Sequence, residues 1–346
     1  MLARKGPRTM PHTRSLSTAL ALPLVGVLTL TGCGPGPREP GADGPDAGPS
    51  RTVRAANGEV EIPDAPERIA VLWRPTLAAV TLLGRDVVGT MGTPGTADQG
   101  LAPFLPEDVD GGALTLVTNS PVEDDVNIEE LATAEPDLII GVDTQVGAQT
   151  AMLDSLEAIA PTVLLEWEGT GSWRGHLEEV ADVLAAPEAA EEALEDYDTA
   201  VAQARARIEE AGVDPAGTEV SLVRLQDANE IRLETPASFP GQIIDDLGFA
   251  RPDTQVESDG DTDFIPHSYE NLEQGDGDVL FVMAGSGFPE APVTFTDGVW
   301  SNLDAVRDER VYRVDHDVWG AANHHGAHRI IDDVTAALTG QADPAV

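Results

Sequence analysis

The chain has 346 residues, with 61 acids against 20 Lys and Arg and a formal net charge of −41. A charge this negative excludes nucleic acid and anionic membrane surfaces as partners, because both would repel it. The acids are spread along many segments and not gathered into metal-loop spacing. They therefore read as a solvated surface suited to high salt, where screening shortens self-repulsion, in preference to a cation buffer or an excluder of acidic ligands.

In chain order, Arg4, Lys5, Arg8 and Arg14 precede a charge-free apolar run from Ser15 to Thr31, interrupted by Pro23 and closed by Gly32-Cys33. That order predicts a secretory signal over residues 1–32, starting at Met1 or Met10, and the run is short of the roughly 20 residues a bilayer span needs. Leu30-Thr31-Gly32-Cys33 resembles the bacterial lipobox, which implies cleavage before Cys33 and a diacylglycerol on its sulfur. Cys33 is the only cysteine, so no disulfide forms within the chain. Gly and Pro without apolar periodicity make residues 33–52 a tether carrying the lipidated cysteine.

Beyond the tether, Ile69–Trp73 reads as a buried strand, Pro75 as the first turn of a helix reaching Leu83, and Gly84 as its stop. Val87-Val88-Gly89, a helix over Ile128–Ala134, a strand over Asp137–Val142, a helix over Gln145–Ile159 and a strand over Thr162–Trp167 follow. Strands alternating with helices predict a mostly parallel α/β lobe over residues 53–170. Residues 171–212 turn helical: Leu177, Val180, Ala181 and Leu184 share one face, and after Pro187 so do Leu194, Tyr197, Val201, Ala204 and Ile208. A second lobe over 213–346 repeats the theme. Its strands are Glu219–Leu225, Ile231–Glu234, Val279–Ala284 and Val311–Val314, and its helices are Pro240–Leu247, Trp300–Val306 and a terminal one ending near Leu338. The expected fold is α/β, two Rossmann-like lobes joined by one long rigid helix, with modest lobe closure.

A series of stretches resembles, in order, the periplasmic-binding family for siderophores, haem and cobalamin, whose lobes are bridged by one helix. In the first lobe they are Pro66-Glu67-Arg68-Ile69, Leu82-Leu83-Gly84, Asn127-Ile128-Glu129-Glu130-Leu131 and Glu135-Pro136-Asp137-Leu138-Ile139-Ile140. In the second they are Ile244-Asp245-Asp246-Leu247-Gly248-Phe249 with Arg251-Pro252, Ser268-Tyr269-Glu270-Asn271-Leu272, Trp300 with Leu303, Val311-Tyr312 and Ile330-Ile331-Asp332-Asp333. The resemblance implies extracytoplasmic capture of a ferric siderophore by a monomeric lipoprotein on the outer face of the cytoplasmic membrane, with delivery to the membrane subunits of an ABC importer. It is strongly specific for the family and weakly for the ligand, so haem, cobalamin and a divalent metal such as zinc stay open. It also implies that Glu129 and Glu270, at the two lobe tips, pair with arginines of the importer; alternatively, each merely complements the dipole of its helix.

In open α/β lobes the ligand crevice lies beyond the carboxyl ends of the strands. Trp73, Arg74, Trp167 and Trp173 on one side, and Arg224, Arg232, Tyr269 and Trp319 on the other, are the candidate ligand-binding residues, since guanidinium and indole groups suit a chelate with anionic oxygens and apolar arms. For Arg224 and Arg232 the competing reading is pairing with surface acids, and for Trp73 an ordinary core ring. His324, His325 and His328 open the terminal helix. His324 and His328 share a face and could bind zinc, His324 could line the cleft, or all three could be plain surface groups. No His lies between His12 and His176, so the first lobe has no imidazole to contribute, and no metal or cofactor is expected at the ligand site. With no Gly-rich phosphate loop, no nucleophile elbow and its one cysteine used by the anchor, the chain is expected not to be an enzyme, and no catalytic residue is assigned. An adhesive surface protein is the remaining alternative.

Overall fold

Ile69-Ala70-Val71-Leu72 carries no polar side chain, and in the computed structural model all four are buried at the heart of the first lobe. Residues 48–346 are described apart from 107–108, 119–124, 145–147, 228, 257–261, 285–294 and 296–297. The signal, Cys33 and most of the tether lie outside the described residues. The tether also ends sooner than expected: β1 (Ser50–Ala55) and β2 (Gly58–Pro63) form an antiparallel hairpin. Asn57 at its turn docks it on the lobe, donating to Thr162 O at 2.9 Å and accepting from Leu164 N at 2.9 Å.

The first lobe continues with β3 (Ile69–Val71), α1 (Arg74–Leu82), β4 (Val87–Thr90), three short 3-10 turns within Ala97–Ala113, and α2 (Ile128–Thr133). It closes with β5 (Leu138–Asp143), α3 (Ala148–Ala151), α4 (Leu153–Glu157) and β6 (Thr162–Glu166), so the expected helix over Gln145–Ile159 is two short helices. Its sheet is wholly parallel in the order β4-β3-β5-β6. Alternate side chains divide between two cores: Ile69, Val71, Leu138 and Ile140 pack with α1, while Ala70 and Ile139 face Leu131 and Leu156. Burial on both faces is why the central strands are continuous apolar runs. Gln149, fully buried, ties their carboxyl ends together by accepting from Val142 N at 2.8 Å and donating to Leu72 O at 2.7 Å. A Cβ on Gly141 would come within 2.2 Å of that amide, so this position is restricted to glycine.

Two helices follow, α5 (Trp173–Val183) and α6 (Pro187–Glu210), with Ala185 between them in the left-handed region at φ 51. At 24 residues, α6 is about 36 Å long. Ala190 and Ala193 pack into the first-lobe core, Tyr197, Val201, Ala204 and Ile208 into the second, and Leu194 touches both. Most of α5 packs with the first lobe, so α6 is the element that crosses.

The second lobe contains β7 (Val220–Leu225), β8 (Glu230–Glu234), α7 (Phe239–Asp246), α8 (Asp253–Val256), β9 (Phe264–Ser268) and β10 (Val279–Ala284). It ends with α9 (Asp304–Arg307), β11 (Val311–Asp315), α10 (His316–Trp319) and α11 (His324–Leu338). The strand order is β11-β10-β7-β8-β9, parallel across β11, β10 and β7 and antiparallel at β8 and β9. Val220 and Leu222 face α6, α7 and α11; Val223 and Leu225 face a separate cluster with Leu272, Trp300 and Leu303.

Candidate ligand-binding cleft

The carboxyl ends of both sheets face one another, and the first-lobe wall begins where β3 stops. Trp73 caps α1 with extended backbone, and the proline ring of Pro75 fits the helix start without sacrificing a needed donor. The Trp73 ring meets Trp167 edge-on at 5.5 Å, and Trp167 meets His176 at 5.1 Å. His176, fully enclosed, lies 2.8 Å from Thr76 Oγ1, and burial pushes its pKa down to about 4, so this imidazole is neutral. Trp73 Nε1 is buried with no hydrogen-bond partner among the described residues. Beside this aromatic row opens a space of about 730 Å³ rimmed by Asp143, Glu166, Glu168 and Asp263. Asp263 binds the connector to the second lobe, accepting from Thr170 N at 3.0 Å and Thr170 Oγ1 at 2.8 Å.

The opposite wall rests on a register coincidence: Arg224 on β7 and Arg232 on β8 are direct cross-strand partners. Both guanidinium groups lie over the Phe264 ring, at 5.0 and 4.1 Å, and a pocket of about 130 Å³ between them is floored by Met283 and Trp319. Arg224 Nε is 3.0 Å from Glu234 Oε1, yet neither atom makes an aligned hydrogen bond. Burial pushes the Glu234 carboxyl up to about 7 against the pull of Arg224. Arg232 pairs with Glu230 at 3.2 Å. Arg74, from the first lobe, lies over Phe104 at 5.0 Å, and its guanidinium is desolvated with Asp317 partly compensating. His316 lines the same pocket as Arg224; its pKa is lowered first by burial and then by the field of Arg224, with Asp317 and Asp315 opposing and Arg74 adding least.

Trp73 thus meets Trp167 on the first lobe and Arg224 meets Arg232 on the second, with Asp263 lining the spaces beside both, while three expected members lie elsewhere. Trp173 is 1% exposed and packs between Tyr197 and Phe239, because a helix-opening indole on the apolar face is drawn into the second-lobe core. Tyr269 lies against the cluster on the other face of the sheet, its hydroxyl accepting from Trp300 Nε1 at 2.5 Å. His324 faces α6, with Nε2 3.0 Å from Ala193 O. Trp319 is fully buried with Nε1 donating to Asp333 at 2.9 Å, so it supplies floor and no free polar edge. Phe264, His316 and Asp263 also line the Arg224 pocket and pattern reading missed them; β9 is short and half-exposed, and carries no apolar alternation to announce Phe264.

Glu129 and Glu270 are both exposed. Glu129 sits in the first turn of α2, capped by Asn127, and Glu270 in that of the 3-10 turn Tyr269–Gly275, capped by Ser268. No helix among the described residues is long and apolar enough to cross a membrane.

Residues 94–318 match the family described as periplasmic binding protein. The chain is 32% identical over 301 residues to the Bacillus subtilis protein named "Probable siderophore-binding lipoprotein YfiY", covering 82% of this chain and 86% of that one. It is 27% identical to the iron(3+)-hydroxamate-binding protein FhuD of the same organism, covering 88% and 92%. Among solved structures, Staphylococcus aureus SirA complexed with staphyloferrin B superposes with a TM-score of 0.67 at 24% identity, covering 83% of this chain and 98% of that chain.

Proposed function

The chain belongs to the periplasmic binding protein family, and from that premise we propose that it binds a ferric siderophore outside the cytoplasm and delivers it to an ABC importer. The observation that carries the reading is the pair of cross-strand guanidinium groups, Arg224 and Arg232, held over Phe264, together with the Trp73–Trp167 edge on the first lobe. A ferric chelate presents anionic oxygens around the metal and apolar arms outside. Partly desolvated guanidinium groups bind the first through charge-assisted hydrogen bonds, and the indole rings cover the second. The names of YfiY and FhuD support the same ligand class.

The remaining assignments follow from this role. Cys33 holds the chain to the outer face of the membrane through its lipid, Gly/Pro residues before β1 give it reach, and Glu129 and Glu270 dock the two lobes on the importer's membrane subunits. Residues 53–170 and 213–346 act as the two ligand-gripping lobes, and 171–212 joins them. The chemistry is binding without turnover.

The test is a tryptophan-fluorescence titration of the purified full chain against ferric hydroxamate, catecholate and citrate-type chelates, with haem and cobalamin in parallel. Saturable quenching by a ferric chelate is expected, since Trp73 and Trp167 line the cleft. Binding of haem or cobalamin alone would overturn the ligand class, and Cys33→Ser protein that stays in the membrane fraction would overturn the anchor.

A further inference from the structure

α11 opens on two histidines four residues apart, and that spacing stacks their rings on one helix face. His324 Nε2 and His328 Nε2 are 3.2 Å apart, and His328 Nε2 is 3.4 Å from Asp196 Oδ2 on α6. The three ligand atoms all lie within 4.8 Å of one another. Two ring nitrogens bound to one tetrahedral zinc at 2.0–2.1 Å stand about 3.3 Å apart by geometry. The nitrogens therefore already hold the separation of two ligands of a single ion, and the carboxylate completes a nitrogen-nitrogen-oxygen set.

We propose that Asp196, His324 and His328 bind a borderline divalent cation of the zinc class, clamping the crossing helix α6 to α11 of the second lobe. This goes beyond chelate capture: the trio lies across α10 from the Arg224 pocket, in a separate space of about 830 Å³ that Asp315 and Val318 also line. Imidazole with one carboxylate favours zinc-class ions over magnesium or calcium, which prefer all-oxygen sets. On binding, His324 changes tautomer: the proton that Nε2 directs at Ala193 O moves to Nδ1, which frees the Nε2 lone pair for the ion. The fourth position opens to water from the 830 Å³ space.

The experiment titrates the untagged full chain with Zn²⁺ against a chromogenic chelator, in millimolar Mg²⁺ and high salt to silence the acidic surface. In parallel, Co²⁺ is added as a spectroscopic probe. One equivalent of Zn²⁺ should bind, and Co²⁺ should give the intense visible bands of a four-coordinate site. His328→Ala should weaken Zn²⁺ binding about tenfold or more and abolish the Co²⁺ bands, and Asp196→Asn should weaken it to a lesser degree. His324→Ala should match His328→Ala; if losing the contact with Ala193 unfolds it, the His328 variant decides alone. Binding that Mg²⁺ displaces, or that His328→Ala leaves unchanged, overturns the site. Ferric-chelate affinity of His328→Ala should equal that of the parent, so failure here is separable from failure of the transport role.

Discussion

At the scale of single residues, the cleft turns on how Arg224 and Glu234 share a buried space. Glu234 has a pKa of about 7 in the folded chain against an ordinary 4.5. An acid raised on folding contributes its full stability below the ordinary value and loses it as pH rises through the folded one. The buried carboxylate is thus charged above pH 7 at a cost on the order of 3 kcal/mol. Glu234→Gln should accordingly gain stability relative to the parent at pH 8 and lose that gain at pH 4, measured by denaturant unfolding at each pH; an unchanged difference would refute the argument. For ligand binding, Arg74→Ala and Arg224→Ala should each weaken chelate affinity ten- to a hundredfold, about 1.5 to 3 kcal/mol, as hydrogen bonds to charged groups do. Trp173→Phe, in the core, should leave affinity alone. Arg74 was a candidate in the sequence because it closely follows a buried strand. His316 was not, because a His after a half-exposed strand looks like any surface His until the Arg224 and Arg74 fields are placed around it.

At the scale of elements, legibility followed burial. β3, β5 and β10 are buried on both faces and announce themselves as apolar runs, whereas β1 alternates exposed and half-buried positions, β2 buries only Ile62, and β9 buries none of its residues. The Asn57 amide positions the hairpin together with the Ala56 N–H, which donates to Leu164 O at 2.8 Å, and no periodicity encodes either. Asn57→Ala should therefore destabilise the chain by about 1 to 3 kcal/mol, because the amide partners of β6 lose both of its hydrogen bonds. The joint between α5 and α6 offers the opposite sign. Ala185 sits at φ 51, where an L side chain is disfavoured by about 1–2 kcal/mol and glycine is not. Ala185→Gly should raise the unfolding free energy by roughly 0.5–1 kcal/mol after the entropy glycine loses, and a loss of stability there would show that the strain is absent.

For the whole molecule, the two-lobe plan was readable because alternating strands and helices give way to one helical stretch and then resume. That two of the candidates stand side by side was not, because it depends on register: the pairing of β7 with β8 sets Arg224 beside Arg232, and no local pattern announces it. Transport tests the plan as a unit. Glu129→Ala and Glu270→Ala should lower cellular uptake while leaving the dissociation constant within about threefold, a shift below roughly 0.7 kcal/mol. A hundredfold loss of affinity would move either residue from docking to ligand contact.

The acidic rim of the cleft has a kinetic meaning. An anionic chelate approaching this chain meets a body whose net charge is −41, with Asp143, Glu166, Glu168 and Asp263 rimming the space beside Trp167. Long-range steering therefore opposes capture and short-range contact rewards it, so the association rate should climb as added salt shrinks the Debye length from about 30 Å at 0.01 M to about 3 Å at 1 M. Of two chelates with the same iron centre, the one whose outer arms are neutral or cationic arrives sooner.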